Sequence, residues 1–220
     1  MNFVISICSP GALGTLNAIC EELELPLQMV LHGRGTAVRS MLDLLGIEDT
    51  EKRVVLTVAN GQKTEQLIEA QKQRMFIGVP GHGLIAAVPI KSIGGGKTVA
   101  YLNGGAPEAS YTPQIRVDYE LIVVIANEGR TDLVMNAARS AGATGGTVLH
   151  GKGTGGKAEK FLSVSLAREK EILLILAKTA QKASIMKAIL EKAGPGTEAG
   201  AVTFSLPTSA IAGFGLQAQT

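Results

Sequence analysis

Aromatic side chains and an excess of either charge are what this sequence has least of. Its 220 residues contain no tryptophan, three tyrosines and five phenylalanines. Flat stacking surfaces for bases or sugars are therefore scarce. Lysine and arginine total 21 against 19 acidic residues, and the two signs stay close to balance in both halves of the chain. This balance argues against a protein that binds nucleic acid.

Cysteine and long apolar runs are also rare. The two cysteines, Cys8 and Cys20, cannot form a disulfide framework, which suits a reducing compartment and buried thiols. The first apolar run has no basic residue before it and stops at positions 9–11, Ser-Pro-Gly. That run is too short for a secretory signal or a membrane span. These absences predict a cytoplasmic protein with no membrane insertion.

Apolar residues and glycine, in contrast, are abundant. Apolar side chains make up 45% of the chain and charged ones 18%, so a real core is expected and disorder is not. Glycine occurs 27 times, about an eighth of the chain against an average of about 7%. The length leaves one large domain and two small ones both open.

An internal repeat decides between these two possibilities. The motif His-Gly-Arg-Gly-Thr at 32–36 recurs as His-Gly-Lys-Gly-Thr at 150–154, an offset of 150 − 32 = 118. The same offset aligns both halves without a gap, so that Gly11 falls on Gly129 and Pro89 on Pro207. The repeat predicts a duplication, with one copy at 1–96, the other at 117–220 and a linker at 97–116.

Both copies show the same order of predicted elements. In the second, strand-like runs occur at 120–125, 147–149, 172–177 and 201–206, and helical spacing links Leu133 to Ala141 and Ile185 to Leu190. The order βαββαβ predicts an α+β fold of two tandem ferredoxin-like units with antiparallel sheets, each with two helices on one face. The opposite face is rich in Val, Ile and Leu and needs a cover, either the sister repeat or another chain.

Two stretches come close to a phosphate-binding P-loop. In the glycine-rich run 151–158, Ala158 stands where a serine or threonine would hold magnesium. In the run 94–98, Gly-Gly-Gly-Lys-Thr, Lys91 replaces the opening glycine and no helical pattern follows. We therefore expect a loop at the first stretch and the start of the linker at the second.

The shared motif is a stronger candidate because it recurs at one structural position, where the second strand ends. Its paired glycines allow positive φ and close approach of an anion to backbone N–H groups, and Arg34 or Lys152 adds a cation. Alternatively, the glycines only begin a flexible loop. Nothing at metal-ligand spacing accompanies His32 and His150, which are predicted to be hydrogen-bonded turn residues. No catalytic constellation recurs, so we predict no catalytic and no metal site.

The runs 121–129 and 137–153 resemble the P-II family of nitrogen regulatory signalling proteins, with the first repeat a more diverged copy. The resemblance implies a trimer that is not an enzyme, with adenine nucleotides, often with 2-oxoglutarate, in clefts between subunits. A long T-loop, here 34–50 and 152–168, would act on a transporter, channel or enzyme. Together with the motif, the resemblance indicates ten ligand-binding residues: Gly33, Arg34, Gly35, Thr36, Gly151, Lys152, Gly153, Thr154, Gly196 and Thr197.

Several family positions differ here. The acid and lysine that enter the last strand are absent from 199–202 and from 82–84, and the two arginines after that strand are replaced by Gly213 and Gly215 in the second repeat. A triphosphate needs several cations in reach, so an altered or lost small-molecule site is expected, with an adenine nucleotide still possible. The alternative is a non-signalling trimeric structural or metal-tolerance module of the same fold. Two units per chain that pack in threes would require three chains.

Overall fold

A computed structural model describes residues 1–36, 50–79, 81–93, 96–102, 115–152 and 169–213. The chain divides into two compact units. Unit 1 comprises Met1–Leu31, Glu51–Arg116 and Pro207–Thr220, and unit 2 comprises His32–Thr50 and Val117–Leu206. The boundaries expected from the repeat put 32–50 in the first part of the chain and 207–220 in the second. The structure groups 32–50 with unit 2 and 207–220 with unit 1.

The elements follow one another in the order that the sequence predicts, with two additions. The first seven are β1 (Asn2–Cys8), α1 (Leu13–Glu22), β2 (Gln28–Gly35), β3 (Glu51–Ala59), α2 (Gly61–Met75), β4 (Gly83–Pro89) and α3 (Gly96–Leu102). The remainder are β5 (Arg116–Asn127), α4 (Thr131–Ser140), β6 (Thr147–Lys152), β7 (Glu169–Lys178), α5 (Thr179–Ala193), β8 (Val202–Thr208) and β9 (Ala210–Gly213). The structure is thus α+β. Six strand pairs are antiparallel: β1–β3, β1–β4, β2–β6, β4–β9, β5–β7 and β6–β7.

Unit 1 has two helices on an antiparallel sheet with the strand order β2-β3-β1-β4-β9. Alternate residues of the strands meet α1 and α2, and the resulting core includes the fully buried Leu16, Ile19, Leu67 and Ile85. The Asn60 side chain caps α2 by accepting a hydrogen bond from Lys63 N at 2.8 Å. The short β9 pairs with β4 from Ala210 to Gly213, which places 207–220 in this unit.

Unit 2 repeats this arrangement with the strand order β8-β5-β7-β6-β2. Its core lies between the sheet and the helices α4 and α5 and includes Ile122, Met135, Ile175, Ile185 and Ile189. Residues 33–35 of β2 pair with 149–147 of β6, which places the second half of β2 in this unit.

The segment expected to be a linker contains regular structure. Residues 96–102 form α3, so the expectation that no helix follows the Gly-Gly-Gly-Lys-Thr run was wrong. The helix forms because Leu102 is held in a small apolar cluster with Met1 and Val58, which Ile90 and Ile93 also contact. Tertiary contacts thus stabilise a helix whose glycine-rich start gave no helical signal. The rest of the linker, 103–114, lies outside the described residues.

Within each unit, part of the sheet face opposite the helices is buried. In unit 1 the α3 cluster covers part of this face, and Ile5 and Val54 are also buried. In unit 2, Leu121 and Val123 are buried as well. Within the described ranges, no helix is both long and apolar enough to cross a bilayer.

Candidate functional site

The glycines of the shared motif lie inside strands and have an extended backbone. Gly33 and Gly35 belong to β2 and Gly151 to β6, and none of them has a positive φ. The expected left-handed conformation is therefore absent at these three glycines. Gly33 instead lies in a close approach between strands, because a Cβ there would be 3.1 Å from Val148 O. At Gly151 a Cβ would meet nothing within 4 Å.

Thr36, directly after β2, is held by hydrogen bonds within unit 2. Its backbone N–H donates to Gly146 O at 3.1 Å, and its hydroxyl accepts from Gly146 N at 2.9 Å. The Arg139 guanidinium donates to Thr36 O. Thr36 is therefore anchored to Gly146 and Arg139.

Three neighbouring strands of unit 2 bring a row of residues together at one end of the sheet. Gly151 of β6 lies opposite Lys170 of β7, which lies opposite Asn127 of β5. The Lys170 side chain is buried, and its Nζ donates to Asn127 Oδ1 at 2.6 Å. This row lies where β6 leads into the predicted T-loop.

The turn between α5 and β8 is tied to the same end. Gly196 has φ 95°, and the Thr197 hydroxyl donates to Gly194 O at 2.8 Å. Asn127 then fixes the turn: its Nδ2 donates to Glu198 O at 3.0 Å and its backbone N–H to Ala199 O at 2.9 Å. Two of the predicted ligand regions, at Gly151 and at 196–197, are therefore connected through Lys170 and Asn127.

A buried carboxylate, Glu171, occupies the adjacent row of the sheet. Its Oε2 accepts from Thr131 N at 3.0 Å and from Thr131 Oγ1 at 2.7 Å, so it satisfies the first turn of α4. The His150 side chain is half-exposed, with its Nδ1 at 4.0 Å from Glu171 Oε1. His150 belongs to β6 and is therefore not the turn residue expected from the sequence. His32 likewise lies in a strand, β2.

The cations at this end are already engaged. Arg130 Nη1 lies 3.2 Å from Glu198 Oε2, and Lys170 is bound to Asn127. Four carboxylates lie on the same segments, those of Glu128, Glu169, Glu171 and Glu198. A polyanion such as a triphosphate would meet no excess of positive charge among these residues.

The corresponding end of unit 1 uses a related contact with different partners. Lys52 of β3, the equivalent of Lys170, donates from Nζ to Gly81 O at 3.2 Å in the turn between α2 and β4. His82 in that turn is exposed, as predicted, and its Nδ1 lies 3.2 Å from Met75 O.

The structure thus adds residues that the motif alone did not single out. Lys170, Asn127, Glu171 and Thr131 hold the end of unit 2 together, whereas Gly153, Thr154 and most of both predicted T-loops lie outside the described residues. A signal for Lys170 was present, because Lys52 recurs at the offset of 118. Within the described ranges, no group of three or more His, Cys, Asp or Glu side chains could hold a metal ion.

Comparisons with known proteins give distant structural similarity. No family model matches the chain, and no curated protein matches it. A solved structure of Arabidopsis thaliana PII bound to citrate shares 24% sequence identity, covers 45% of this chain and 81% of that chain, and has a TM-score of 0.33. A solved structure of an unknown protein from Galdieria sulphuraria shares 13% identity over 94% of this chain and 97% of that chain, with a TM-score of 0.27.

Proposed function

We propose that the two units are copies of one ferredoxin-like fold of the P-II type. Both have the element order βαββαβ, and the strand order β4-β1-β3-β2 of unit 1 corresponds to β8-β5-β7-β6 of unit 2. The register supports the same equivalence. Ile5 lies opposite Leu56 in unit 1, and the residues 118 positions later, Val123 and Leu174, lie opposite each other in unit 2.

On this basis the protein is a regulatory binding protein and not an enzyme. It senses a small ligand at the end of the unit 2 sheet where 152–168 begins, and it acts through the loops 34–50 and 152–168 on a partner protein such as a transporter or enzyme. β2 ends beside Thr147, at the opposite end of β6 from Lys152. One observation carries the proposal: the base of the 152–168 loop and the turn at 194–200 are joined through Lys170 and Asn127. A ligand that contacts either segment can therefore bias the other.

The charge balance limits which ligands fit this site. Since Lys170 and Arg130 are engaged by Asn127 and Glu198, a small anion or a nucleotide with few phosphates fits better than a triphosphate. The ligand would contact backbone N–H groups near Gly151 and Gly196 and compete for the Lys170 ammonium group.

A thermal-shift screen with ATP, ADP, AMP, bicarbonate and 2-oxoglutarate tests this site. A ligand that binds the folded state must raise the melting temperature by mass action. We expect a shift with at least one compound and its loss in Lys170→Met. Lys178→Met, at the other end of the same strand, is the matched control and should keep the shift. If none of these compounds shifts the melting temperature, or if both variants respond like the wild type, the proposed site is wrong.

Assembly follows from the same proposal. If P-II-like units close into rings of three, two units per chain require three chains or a multiple of three. Light scattering that gives a chain number not divisible by three would contradict this assembly. The ligand screen would still stand, because it depends only on contacts within unit 2.

A further inference from the structure

The outer edge of β8 in unit 2 differs from its counterpart in unit 1. In unit 1 the edge of β4 is covered by β9, which pairs with Leu84 through Ala87. In unit 2 the strand order ends at β8, so no described strand pairs with its outer edge. Edge strands in native proteins usually carry charges, prolines or bulges that prevent pairing. The sequence of β8, Val-Thr-Phe-Ser-Leu-Pro-Thr, carries no charge, and its one proline, Pro207, follows the stretch 202–206.

The unpaired backbone groups of β8 can be assigned by comparison with unit 1, a step that uses the equivalence of the units proposed above. Ala87 O accepts from Ser209 N at 2.8 Å, so the backbone N–H and C=O groups of Ala87 point towards the outer edge of the sheet. The residue 118 positions later is Ser205. Backbone groups alternate in direction along a strand, so those of Thr203, two residues before Ser205, point to the same edge. The edge of β8 therefore presents the N–H and C=O groups of Thr203 and Ser205.

Apolar side chains flank this edge on both sides. Val202 and Phe204 are 45% and 42% exposed. Beside the edge, α5 and Ser205 line a groove of about 630 Å³ into which Met186 and Leu190 project, and Leu190 is 47% exposed. In unit 1 the corresponding edge is covered by β9, whose Ile211 and Ala212 are 4% and 5% exposed.

We propose that a second copy of this chain covers the edge, through an antiparallel pair of β8 strands related by a twofold axis. Centring the pair on Phe204 places Thr203 opposite Ser205 of the second copy, so that their outward N–H and C=O groups bond. The two Phe204 rings then form a non-hydrogen-bonded pair, in which side chains lie closest. Val202 lies opposite Leu206 of the second copy.

The occupant is a second copy because the surface is self-complementary. In a twofold contact, residue i of one copy contacts residue j of the other, and residue j of the first copy contacts residue i of the second. The same patch must therefore be complementary to itself. Thr203 and Ser205 each supply one outward donor and one outward acceptor, and the apolar side chains of β8 meet their own copies. The groove flank carries one cation and one anion, Lys187 and Glu191, whose side chains are exposed and 3.8 Å apart. Lys187 of one copy can therefore face Glu191 of the other.

The mass of the assembly tests this pair. We expect light scattering across a dilution series to give an even number of chains for the full-length protein. Phe204→Lys places a charge at the centre of the pair and should halve the measured mass. Leu133→Lys, a similar change at a side chain of α4 that is 38% exposed, should leave the mass unchanged. Circular dichroism and the melting temperature identify any variant that fails to fold.

Two further variants keep the proposal testable if Phe204→Lys does not fold. Thr203→Pro removes one outward N–H and should also halve the mass. Phe204→Cys should form a disulfide between copies under mild oxidation, whereas Leu133→Cys should not, and the native Cys8 and Cys20 are buried. A monomer or an odd number of chains at every concentration would overturn the pair. So would an unchanged mass in folded Phe204→Lys and Thr203→Pro. Neither result bears on the ligand screen.

Discussion

At the scale of single residues, two glycines at the same position of the repeat have different roles. Gly33 is buried, and a side chain there would press on the backbone and side chains at 147–149, whereas Gly151 has open space around its Cα. The sequence has glycine at the equivalent position of both motifs and cannot tell these roles apart. The difference arises from strand pairing. Gly33 of β2 lies opposite Leu149 of β6, close to residues 147–149, whereas a Cβ at Gly151 has no neighbour within 4 Å.

This difference predicts unequal effects of one substitution. Gly33→Val should lower the free energy of unfolding by about 1–3 kcal/mol, because the added methyl groups overpack a closely packed strand pair. Gly151→Val should change it by less than about 0.5 kcal/mol, because its Cβ meets no neighbour and valine suits a strand. Denaturant unfolding of both variants provides the comparison. Equal losses would mean that close packing is not what distinguishes Gly33.

The thiols of Cys8 and Cys20 illustrate a residue-scale prediction that the structure confirms. Both were predicted to be buried, and both are. Burial raises the pKa of both thiols, and with the nearby charge of Glu21 it raises that of Cys20 to about 11. A thiol held in its protonated form is a poor nucleophile, which agrees with a structural role for both residues.

At the scale of elements, α4 depends on a carboxylate from a distant strand. The helix has no side-chain cap of its own, and Glu171 of β7 accepts both the N–H and the hydroxyl of Thr131. Sequence signals for helix starts consider residues next to the helix. They could not identify Glu171, which is 40 residues away from Thr131 along the chain.

Removing this carboxylate should therefore weaken α4. Glu171→Ala leaves the buried N–H and hydroxyl of Thr131 without an acceptor and should cost about 1–3 kcal/mol of unfolding free energy. Glu171→Gln keeps an acceptor and should cost less, mainly the loss of a negative charge at the helix start. The control is Glu198→Ala, at an exposed carboxylate, with an expected change within about 0.5 kcal/mol. Chemical denaturation measures the free energies, and faster amide exchange confined to α4 in Glu171→Ala would identify the helix as the weakened element.

Most elements were predictable because their apolar spacing is periodic and their ends carry clear signals. The predicted stop at Gly142 is confirmed by its φ of 102°, and the stop at Gly194 by its place as the C-terminal cap of α5. The two elements that the sequence did not predict, α3 and β9, are short and lack periodicity. Each forms because a neighbour is already in place, the apolar cluster around Leu102 for α3 and the edge of β4 for β9.

At the scale of the whole molecule, the main apolar cores of unit 1 and unit 2 have no residue in common among the described residues. The core of unit 1 includes Ile19 and that of unit 2 includes Ile185, and both side chains are fully buried. Mutations in separate cores should act independently. Ile19→Val and Ile185→Val should each cost about 0.5–1.5 kcal/mol of unfolding free energy.

The double variant tests this independence. Its cost should equal the sum of the single costs within about 0.5 kcal/mol, because the two residues share no contacting partner in the clusters. The measurement is denaturant unfolding of all four proteins under the same conditions. A larger deviation from additivity would show that the cores are coupled.

The sequence by itself determined the α+β class and the positions of most strands and helices, because both follow from local periodicity and from a repeat at constant offset. It also marked the motif at 32–36 and 150–154. Only the tertiary structure decided where each stretch of chain belongs: 32–50 groups with unit 2 and 207–220 with unit 1. These assignments follow from strand pairing, which uses backbone N–H and C=O groups that every residue except proline carries. The same physics gave β4 a covering strand and left β8 with an open edge among the described residues.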